Sequence, residues 1–398
     1  MFTKSQEEAL EKITQFIADD EQIYFCLSGS PGTGKSFLIQ EGIAPLVKDT
    51  KYALQLTAMT NKAAGVIGGI TIHKLLNLRM TIGSDGVQRI DRMGACHRQN
   101  EFIIIDEASM MDKVLWDIIA THTTNCKILL VGDKYQLPAV KLAVDVFEVF
   151  KDSSAELKEV VRQKDQDFLN IISRAKLGVI NKEFLDVIPT CDCVKKVTLV
   201  DKTQINNLLK TFDASKDKVL CYKNETVVAY NHGIRKLQGK TDTIITGDTV
   251  VARNYCELKV CNKTISTIGT ETYHKITAIS DSFVYSFGSY EIKLVSVNFN
   301  DVKGTWLCAY NWHQYNELLK LTAREKDWSN YWFLKEQILD IRTAEACTIH
   351  CSQGSTYDRV FIDMNDLRIC KQIGVKTRLL YVALSRARNE VYIYDNKS

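Results

Sequence analysis

Residues 29–36 read Gly29-Ser30-Pro31-Gly32-Thr33-Gly34-Lys35-Ser36, a complete G-x-x-x-x-G-K-[ST] pattern. An apolar segment at residues 23–27 precedes the pattern and Phe37-Leu38-Ile39 follows it, which predicts a strand, a loop and a helix in that order. In such a loop the glycines let backbone N–H groups surround phosphate oxygens, Lys35 adds a positive charge at the β- and γ-phosphates, and the Ser36 hydroxyl suits Mg²⁺. The sequence therefore predicts a site for a nucleoside triphosphate.

The bulk composition is typical of a globular protein with more than one domain. The chain has 398 residues, of which 45% are hydrophobic and 25% charged. A net charge of +3 neither requires nor excludes a nucleic-acid partner, because a groove needs only local positive charge. No run approaches the roughly 20 apolar residues of a membrane span, and the acidic first turns do not resemble a signal peptide. We expect a protein with no membrane association.

The twelve cysteines do not form a metal-binding pattern, because no C-x₂-C pair occurs. Cys191 and Cys193 are separated by one residue, and Cys347 and Cys351 by three. Most of the others lie in apolar runs, where a free thiol behaves as a small hydrophobic group. We therefore expect free thiols and a reducing compartment, the cytoplasm, or the host cytoplasm if the protein is viral.

Short apolar strands alternate with helical segments over the first 150 residues, which predicts a parallel α/β sheet. The predicted strands cover residues 24–27, 53–56, 102–105 and 128–131. A less regular insert at residues 80–98 contains three glycines and predicts a protruding hairpin. The first predicted domain is therefore 1–150 with this insert.

A second α/β region begins near Leu157, with a strand predicted at residues 219–222 and a helix at 226–237. Residues 241–300 change to strand-type alternation, which predicts a small barrel-like β module, and residues 311–340 are helical. The α/β pattern resumes at residue 347 and ends with a strand at 391–394. The predicted second domain is therefore 151–240 and 341–398, with 241–340 inserted.

The apolar run at residues 102–105 ends in two carboxylates, Asp106 and Glu107. A carboxylate at a strand tip can hold Mg²⁺ through water, and its neighbour can polarise an attacking water. We assign Asp106 to the metal and Glu107 to the general base. The alternative is that both are solvated side chains at a helix N-terminus, where acidic groups are favourable.

A second apolar strand precedes Gly132-Asp133-Lys134-Tyr135-Gln136. An uncharged amide such as Gln136 can hydrogen-bond at a γ-phosphate without competing for Mg²⁺. The alternative is a turn residue before Pro138.

Six segments in order resemble the motifs of superfamily 1 helicases, and they span nearly the whole chain. They are Gln6, residues 29–36, Asp106-Glu107-Ala108-Ser109-Met110, Gly132 to Pro138, Thr348 to Thr356, and Leu380-Tyr381-Val382-Ala383-Leu384-Ser385-Arg386-Ala387-Arg388. The resemblance is greatest to the B-type branch, which includes the RecD-like and the phage Dda-like helicases. Thr71-Ile72-His73 and Trp328-Ser329-Asn330-Tyr331-Trp332 resemble the Dda-like group most.

The resemblance implies an α/β fold of two RecA-like domains, with an inserted hairpin in the first and an SH3-like barrel plus a helical tower in the second. It implies a monomeric motor that binds ATP and Mg²⁺ between the domains and moves 5′ to 3′ on single-stranded DNA, in replication or recombination. It does not identify the residue of the 80–98 insert that would separate strands. Polarity, and DNA rather than RNA, rest on the resemblance alone.

The resemblance also implies roles for individual residues. Arg386 and Arg162 would bring positive charge to the γ-phosphate, the alternative being a surface charge. Gln6 would contact adenine, although Thr3-Lys4-Ser5-Gln6 also fits a capping box. The remaining predicted nucleotide contacts are Phe37, Gln353 and Gly354.

The predicted nucleic-acid contacts are hydroxyl, amide and imidazole side chains, which bind phosphate without sequence preference. They are Thr60, Asn61, Thr71, His73, Thr348 and His350. Singly, each is also a common structural residue. The aromatic residues of the 311–340 segment recur at helical spacing, which favours packing between helices over base stacking.

The sequence thus predicts an ATP-dependent DNA helicase of superfamily 1 acting on single strands and on junctions with duplex. One alternative is a translocase that displaces proteins without processive unwinding. Another is a non-catalytic, ATP-gated DNA-binding factor, which the combination of Glu107, Gln136 and Arg386 disfavours. A small-molecule kinase would not need the second α/β domain.

Overall fold

The computed structural model describes residues 1–82, 88–91, 94–139, 143–161, 165–184, 196–261 and 263–396. The predicted phosphate contact Arg162 and parts of the predicted 80–98 hairpin lie outside these residues. The chain forms two compact units. The first comprises Met1–Thr198, Ser352–Thr356 and Leu367–Val391, and the second comprises Leu199–Cys351, Tyr357–Asp366 and Tyr392–Ser398. The predicted domain boundaries stay a prediction.

The N-terminal half alternates strands and helices. The helices are α1 (Lys4–Ala18), α2 (Lys35–Leu38), α3 (Ala44–Lys48), α4 (Asn61–Val66), α5 (Ile72–Leu75), α6 (Lys113–His122), α7 (Val146–Val149) and α8 (Gln166–Asn181). The strands are β1 (Tyr24–Gly29), β2 (Ala53–Ala58), β3 (Ile70–Thr71), β4 (Arg79–Ile82), β5 (Gln88–Asp91), β6 (Arg98–Gln99), β7 (Glu101–Asp106), β8 (Thr123–Thr124), β9 (Lys127–Gly132) and β10 (Ser154–Leu157). A π-helical turn, Ile39–Ile43, joins α2 to α3, and a 3₁₀ turn, Ala108–Met110, follows β7.

The main sheet of the first unit has six strands in the order β10-β1-β9-β7-β2-β3, and its five neighbouring pairs are parallel. Every residue of β7 and β9 is buried, because the sheet has a hydrophobic core on each face. Strands buried on both faces read as continuous apolar runs, which is why the sequence located them. The four strands predicted in this region are confirmed, and each is two residues longer than predicted.

The order of these strands determines where a ligand can bind. In register, β1 pairs with β9 and β9 pairs with β7, so the carboxyl ends of three neighbouring strands lie at one edge. Crevices outside the carboxyl ends of parallel strands are the usual ligand sites of α/β sheets. The loops after β1, β7 and β9 carry the motifs at 29–36, 106–107 and 132–136.

The region of the predicted insert contains an antiparallel hairpin. Strand β4 pairs with β5 from Arg79↔Asp91 to Ile82↔Gln88. Residues 83–87 and 92–93, between and after these strands, lie outside the described residues.

The C-terminal half contains the remaining elements. The helices are α9 (Lys202–Leu209), α10 (Asn224–Leu237), α11 (Trp312–Arg324), α12 (Trp328–Gln337), α13 (Met364–Arg368) and α14 (Ile373–Ser385). The strands are β11 (Val197–Val200), β12 (Asp217–Cys221), β13 (Thr249–Ala252), β14 (Cys256–Val260), β15 (Lys263–Ile268), β16 (Tyr273–Ile279), β17 (Phe283–Phe287), β18 (Tyr290–Phe299), β19 (Thr305–Ala309), β20 (Ile341–Thr343), β21 (Ala346–Thr348), β22 (Tyr357–Asp363) and β23 (Ala387–Tyr394). A 3₁₀ turn covers His350–Ser352.

In the second unit, β12 pairs in parallel with both β21 and β22. The inserted β module is a sheet in the order β17-β18-β16-β13-β20, with β19 added to β18, and these neighbouring strands pair antiparallel. Helices α11 and α12 follow it, and Tyr315 and Leu334 from these helices share a core with Ile292 and Leu294. The predicted β module and helical segment are therefore confirmed.

Two of the aromatic residues in the helical segment serve in packing. Tyr315 and Tyr331 are buried, and Tyr331 makes edge contacts with Trp328 and Trp332. For these tyrosines the packing interpretation is correct. Across the described part of the chain, no helix is long and apolar enough to cross a membrane.

Candidate nucleotide-binding site

The loop at residues 29–36 has a backbone that requires glycine. Gly32 and Gly34 have positive φ values of 85° and 81°, which L side chains rarely adopt. A Cβ atom at Gly34 would lie 2.6 Å from Nε2 of Gln6, and one at Gly29 would lie 2.6 Å from Oγ1 of Thr33. Strand β1 ends at Gly29 and helix α2 begins at Lys35, which confirms the strand, loop and helix that the pattern predicts.

Lys35 is held inside this loop. Its Nζ donates to the carbonyl oxygens of Gly29, at 2.7 Å, and of Ser30, at 3.3 Å. Both acceptors are neutral, so a phosphate oxygen would be the stronger partner for the ammonium group. The Lys35 ammonium group could therefore release these two carbonyl oxygens and bind a phosphate oxygen instead.

A cavity of about 250 Å³ lies against the loop, and all the residues that line it belong to the first compact unit. It brings together predicted site residues from five separate stretches of sequence. Those residues are Pro31, Gly32, Gly34, Lys35, Ser36, Phe37, Asp106, Glu107, Gln136, Gly354 and Arg386. Of the other predicted nucleotide contacts, Gly29 and Thr33 lie in the loop itself.

The two carboxylates have different environments. Asp106 is 7% exposed, and its Oδ1 accepts a 2.8 Å hydrogen bond from the backbone N–H of Glu107. Burial, together with the negative charge of Glu107, raises the pKa of Asp106 to about 7, and the charge of Lys35 opposes this shift. The solvated alternative is therefore wrong for Asp106. A bound cation would favour the ionised carboxylate.

Glu107 has a left-handed backbone, with φ 56° and ψ 37°. Such a conformation is uncommon for a residue with a side chain and is found where the surrounding structure enforces it, often at functional sites. A Cβ atom at Gly354 would lie 3.6 Å from Oε1 of Glu107, so Gly354 approaches the carboxylate closely.

The donors suit a magnesium ion that is shared with a nucleotide. No group of three or more His, Cys, Asp or Glu side chains that could hold a metal occurs among the described residues. Mg²⁺ is usually bound by one or two protein oxygens together with phosphates and water. Ser36 and Asp106, which both line the cavity, are such a set.

Gln136 and Arg386 complete the lining. Gln136 is 3% exposed, and its Oε1 has no hydrogen-bond partner within the described part of the chain. That oxygen accepts hydrogen bonds, so it suits a water molecule better than a phosphate oxygen. Arg386 is 4% exposed; its Nη1 donates to the carbonyl of Ser355 at 3.3 Å and its Nη2 to Oγ of Ser385 at 2.9 Å.

Gln6 makes both a helix cap and a contact with the loop. Its Oε1 accepts from the N–H of Thr3 at 2.9 Å and its N–H donates to Oγ1 of Thr3 at 3.4 Å, which is a capping box at the start of α1. Its Nε2 donates to the carbonyl of Thr33 at 3.0 Å. The capping alternative is therefore present in the structure, and the adenine contact stays a prediction.

The predicted nucleic-acid contacts of the first unit follow β2 and β3. Thr60 and Thr71 are the N-caps of α4 and α5, accepting from backbone N–H groups at 3.2 Å each. Asn61 is exposed, and burial lowers the pKa of the half-buried His73. These positions lie beyond the carboxyl ends of strands in the same sheet that carries the nucleotide loop.

In the second unit, Thr348 lines a separate cavity of about 390 Å³ together with Trp312, Arg342 and Tyr273. The guanidinium of Arg342 lies 4.3 Å from the centre of the Trp312 ring and bonds to both carboxylate oxygens of Asp340. Oγ1 of Thr348 accepts from the N–H of Cys351 at 3.3 Å.

His350 and Gln353 lie elsewhere. His350 is half-buried in the 3₁₀ turn, and burial lowers its pKa. Gln353 belongs to the first unit, where its Nε2 donates to the carbonyl of Leu137 at 3.3 Å.

Sequence reasoning missed three residues that support this site. Asp133, Arg378 and Tyr381 form hydrogen bonds around the loop that carries Gln136. Asp133 and Tyr381 lie within two motifs that are recognisable in the sequence. Neither motif, however, indicates that these two residues contact each other.

Two family profiles match the chain, and together they cover more than half of it. One, described as an AAA domain, matches residues 1–198, and the other, a UvrD-like helicase C-terminal domain, matches residues 343–394. The chain is similar to the Pif1-like helicases of superfamily 1.

Among relatives, the ATP-dependent DNA helicase Pif1 of Campylobacter jejuni is 23% identical, over 97% of this chain and 91% of its own length. The Xenopus laevis PIF1 helicase is 25% identical over 91% of this chain, and the match covers 57% of that relative's length. The match to the PIF7 helicase of Trypanosoma brucei covers 22% of that relative's length. The likeness to Dda is not among these findings.

Solved structures of Pif1 helicases share the fold. The crystal structure of Pif1 from Candida albicans is 19% identical with a TM-score of 0.54, and covers 99% of this chain and 94% of that chain. Bacteroides Pif1 in complex with ADP-AlF3 and single-stranded DNA is 18% identical, with a TM-score of 0.56 and coverage of 99% and 92%. The predicted fold class of two RecA-like parallel-sheet domains is confirmed, and the predicted barrel of the second domain is an antiparallel half-barrel sheet.

The two interpretations of Gln6 predict different effects of Gln6→Ala. If Gln6 contacts adenine, the substitution lowers the preference for ATP over GTP in a competition assay at equal stability. If Gln6 only caps α1, it lowers the free energy of unfolding by about 1 kcal/mol and leaves the preference unchanged. Because Oε1 carries the cap, Gln6→Glu is the matched control: it retains the acceptor and removes the Nε2 donor.

Proposed function

We propose that this protein is an ATP-dependent DNA helicase that moves along single-stranded DNA and unwinds duplex, with 5′-to-3′ polarity. The observation that carries the proposal is the single cavity that joins Lys35, Asp106, Glu107, Gln136 and Arg386. Its residues match the parts that phosphoryl transfer to water requires: phosphate contacts, a metal ligand, a base and a further positive charge. The similarity to helicases that are named as ATP-dependent DNA helicases supports DNA as the substrate.

Each residue has a distinct task in the proposed reaction. The loop N–H groups and Lys35 hold the phosphates, and Ser36 and Asp106 would hold Mg²⁺, which neutralises phosphate charge when bound. Glu107 accepts a proton from the attacking water, and Oε1 of Gln136 orients that water. Arg386 stabilises the charge that develops at the γ-phosphate. Arg162, outside the described residues, stays a second candidate for this task.

The nucleic-acid part of the proposal rests on positions in each unit. Thr60, Asn61, Thr71 and His73 in the first unit and Thr348 and His350 in the second are proposed backbone contacts. Solved structures of Bacteroides Pif1 contain single-stranded DNA, and another is described as two Pif1 helicases acting at forked duplex DNA. We extend the single-strand and junction substrates to this chain by that likeness.

The Trp312 cavity adds a feature that suits a base. The indole ring rests on the guanidinium of Arg342, which Asp340 holds in place, and Thr348 lines the same cavity. Aromatic and guanidinium planes are the surfaces on which unpaired bases stack.

Finer features stay proposals of the sequence. These are a greater likeness to the phage Dda-like helicases and a phage source, a monomeric motor, a cytoplasmic location, and a role in replication or recombination. The separation of strands by the hairpin of β4 and β5 is also a proposal.

Strand displacement on duplexes with either a 5′ or a 3′ single-stranded tail tests the whole proposal. With ATP and Mg²⁺ we expect displacement from the 5′ tail alone, and none with Lys35→Ala, because that variant lacks the phosphate-binding charge. If DNA stimulates ATP hydrolysis but neither tail supports displacement, the protein is a translocase. If the rate of ATP hydrolysis does not depend on DNA, both the helicase and the translocase hypotheses are wrong.

Arg386→Ala is expected to lower kcat for ATP hydrolysis by about 10³-fold or more, because a charge that stabilises the transition state is lost. Binding of a fluorescent ATP analogue should change little. Arg388→Ala is the control, since Arg388 is exposed two residues further along. Turnover of Arg386→Ala within a few-fold of the wild type would remove Arg386 from the mechanism.

Trp312→Ala is expected to weaken binding of single-stranded DNA by about 1–3 kcal/mol, the usual value for one stacked base. The measurement is fluorescence anisotropy of a labelled oligonucleotide at fixed salt. Trp328→Ala serves as the control, because Trp328 is an exposed indole in α12 that does not line this cavity. Equal losses in the two variants would mean that Trp312 has a packing role only.

A further inference from the structure

A buried hydrogen bond joins two motifs that are far apart in sequence. The Tyr381 hydroxyl donates to Oδ2 of Asp133 at 2.7 Å, and neither residue is more than 1% exposed. Burial and the Asp133 charge raise the pKa of Tyr381, which keeps the hydroxyl protonated as a donor. A buried bond to a carboxylate is stronger than one between neutral groups.

Two further contacts hold the same loop. Nη1 of Arg378 donates to the carbonyls of Lys134, at 2.9 Å, and Gln136, at 2.6 Å. Nε2 of Gln353 donates to the carbonyl of Leu137 at 3.3 Å. Residues 133–137 are therefore anchored at several points by residues more than 200 positions later, and all of these residues belong to the first compact unit.

These anchors connect two groups of the cavity. Arg378 and Tyr381 are three residues apart on α14, so they lie on one face of the helix. The same helix ends with Arg386 as its C-cap, and the anchored loop carries Gln136. The guanidinium of Arg386 and the amide of Gln136 both line the cavity.

The Tyr381 hydroxyl is not what attaches α14 to the protein. Leu379, Leu380, Val382 and Leu384 of the helix are each no more than 2% exposed, so apolar packing secures it. The ring of Tyr381 is part of this packing, and a phenylalanine would preserve it. The remaining role of the Tyr381 hydroxyl is to orient the loop at residues 133–137 through its hydrogen bond to Asp133.

We propose that Tyr381 is a positioning residue, which through Asp133 holds Gln136 and Arg386 in one rigid frame, so that the amide orients the attacking water while the guanidinium reaches the γ-phosphate. The inference rests on the proposed function, because it assumes that the cavity hydrolyses ATP. Preorganised groups lose much of their effect when displaced: a misplacement of about 1 Å can cost about 100-fold in rate.

Tyr381→Phe tests this inference, with Tyr230→Phe as a matched control. Tyr230 in the second unit donates to Oδ2 of Asp363 at 2.8 Å, so the control removes a tyrosine–carboxylate bond of nearly the same length away from the cavity. At saturating single-stranded DNA, we expect kcat of Tyr381→Phe to fall by about 10-fold to 100-fold. The dissociation constant of a fluorescent ATP analogue should stay within about 2-fold, since the loop at 29–36 is untouched.

A double substitution separates positioning from a general structural effect. If Tyr381 acts through Gln136, Tyr381→Phe added to Gln136→Ala causes little further loss of kcat, whereas Tyr230→Phe added to Gln136→Ala behaves as it does alone. Asp133→Asn leaves one acceptor oxygen for three donors, the Tyr135 N–H, Nε2 of Gln136 and the Tyr381 hydroxyl, and should reproduce the Tyr381→Phe loss.

The outcomes distinguish the inference from the function on which it rests. A wild-type protein that hydrolyses no ATP with DNA would contradict the proposed function itself. An active wild type with equal kcat in Tyr381→Phe and Tyr230→Phe would overturn the inference alone. The inference would also be overturned if the fold-losses of kcat in Tyr381→Phe and Gln136→Ala multiplied in the double variant, because the two residues would then act independently.

Discussion

The parallel pairing of β1 with β9 and of β9 with β7 is the constraint on which the candidate site depends. Parallel pairing places the carboxyl ends of these strands side by side, so the loops that follow them must meet. Lys35 begins the helix after the first of these loops, Asp106 is the last residue of β7, and Gln136 lies in the loop after β9. No long irregular segment is needed to place these residues, because each lies at or within a few residues of the end of a strand. The register of these strands is fixed by a hydrophobic core on both faces of the sheet.

The cavity at this edge holds polar groups that the fold alone does not satisfy. Oε1 of Gln136 lacks a partner within the described residues, the pKa of Asp106 is raised by burial, and Lys35 is bonded to neutral carbonyls. Each condition costs stability, since buried polar and charged groups require partners. A triphosphate with a divalent cation and a water molecule would supply them. Where local structure carries unsatisfied polar groups, function is a better explanation than folding.

Much of this arrangement could be predicted from the sequence, for physical reasons that differ between residues. The strands could be located because burial on both faces makes them continuous apolar runs. The loop at 29–36 could be located because its glycines serve a backbone conformation that L side chains rarely adopt. The roles of Thr60 and Thr71 as helix caps are equally local, yet they say nothing about a second role toward DNA. By contrast, no local pattern pairs Asp133 with Tyr381, because their contact depends on how α14 packs.

The loop that carries Gln136 shows why such distant contacts are needed. The turn at residues 133–137 has few internal hydrogen bonds. The Gln136 N–H donates to the Asp133 carbonyl at 3.1 Å, the Tyr135 N–H donates to Oδ1 of Asp133 at 3.0 Å, and Nε2 of Gln136 donates to Oδ2 of Asp133 at 3.5 Å. A tight turn with so few internal bonds cannot hold an amide within the roughly 0.5 Å that catalysis demands. The missing rigidity has to come from outside the turn, and α14 can provide it because apolar packing already fixes the helix. The side chain that we propose to orient water is therefore positioned by the helix that carries Arg386.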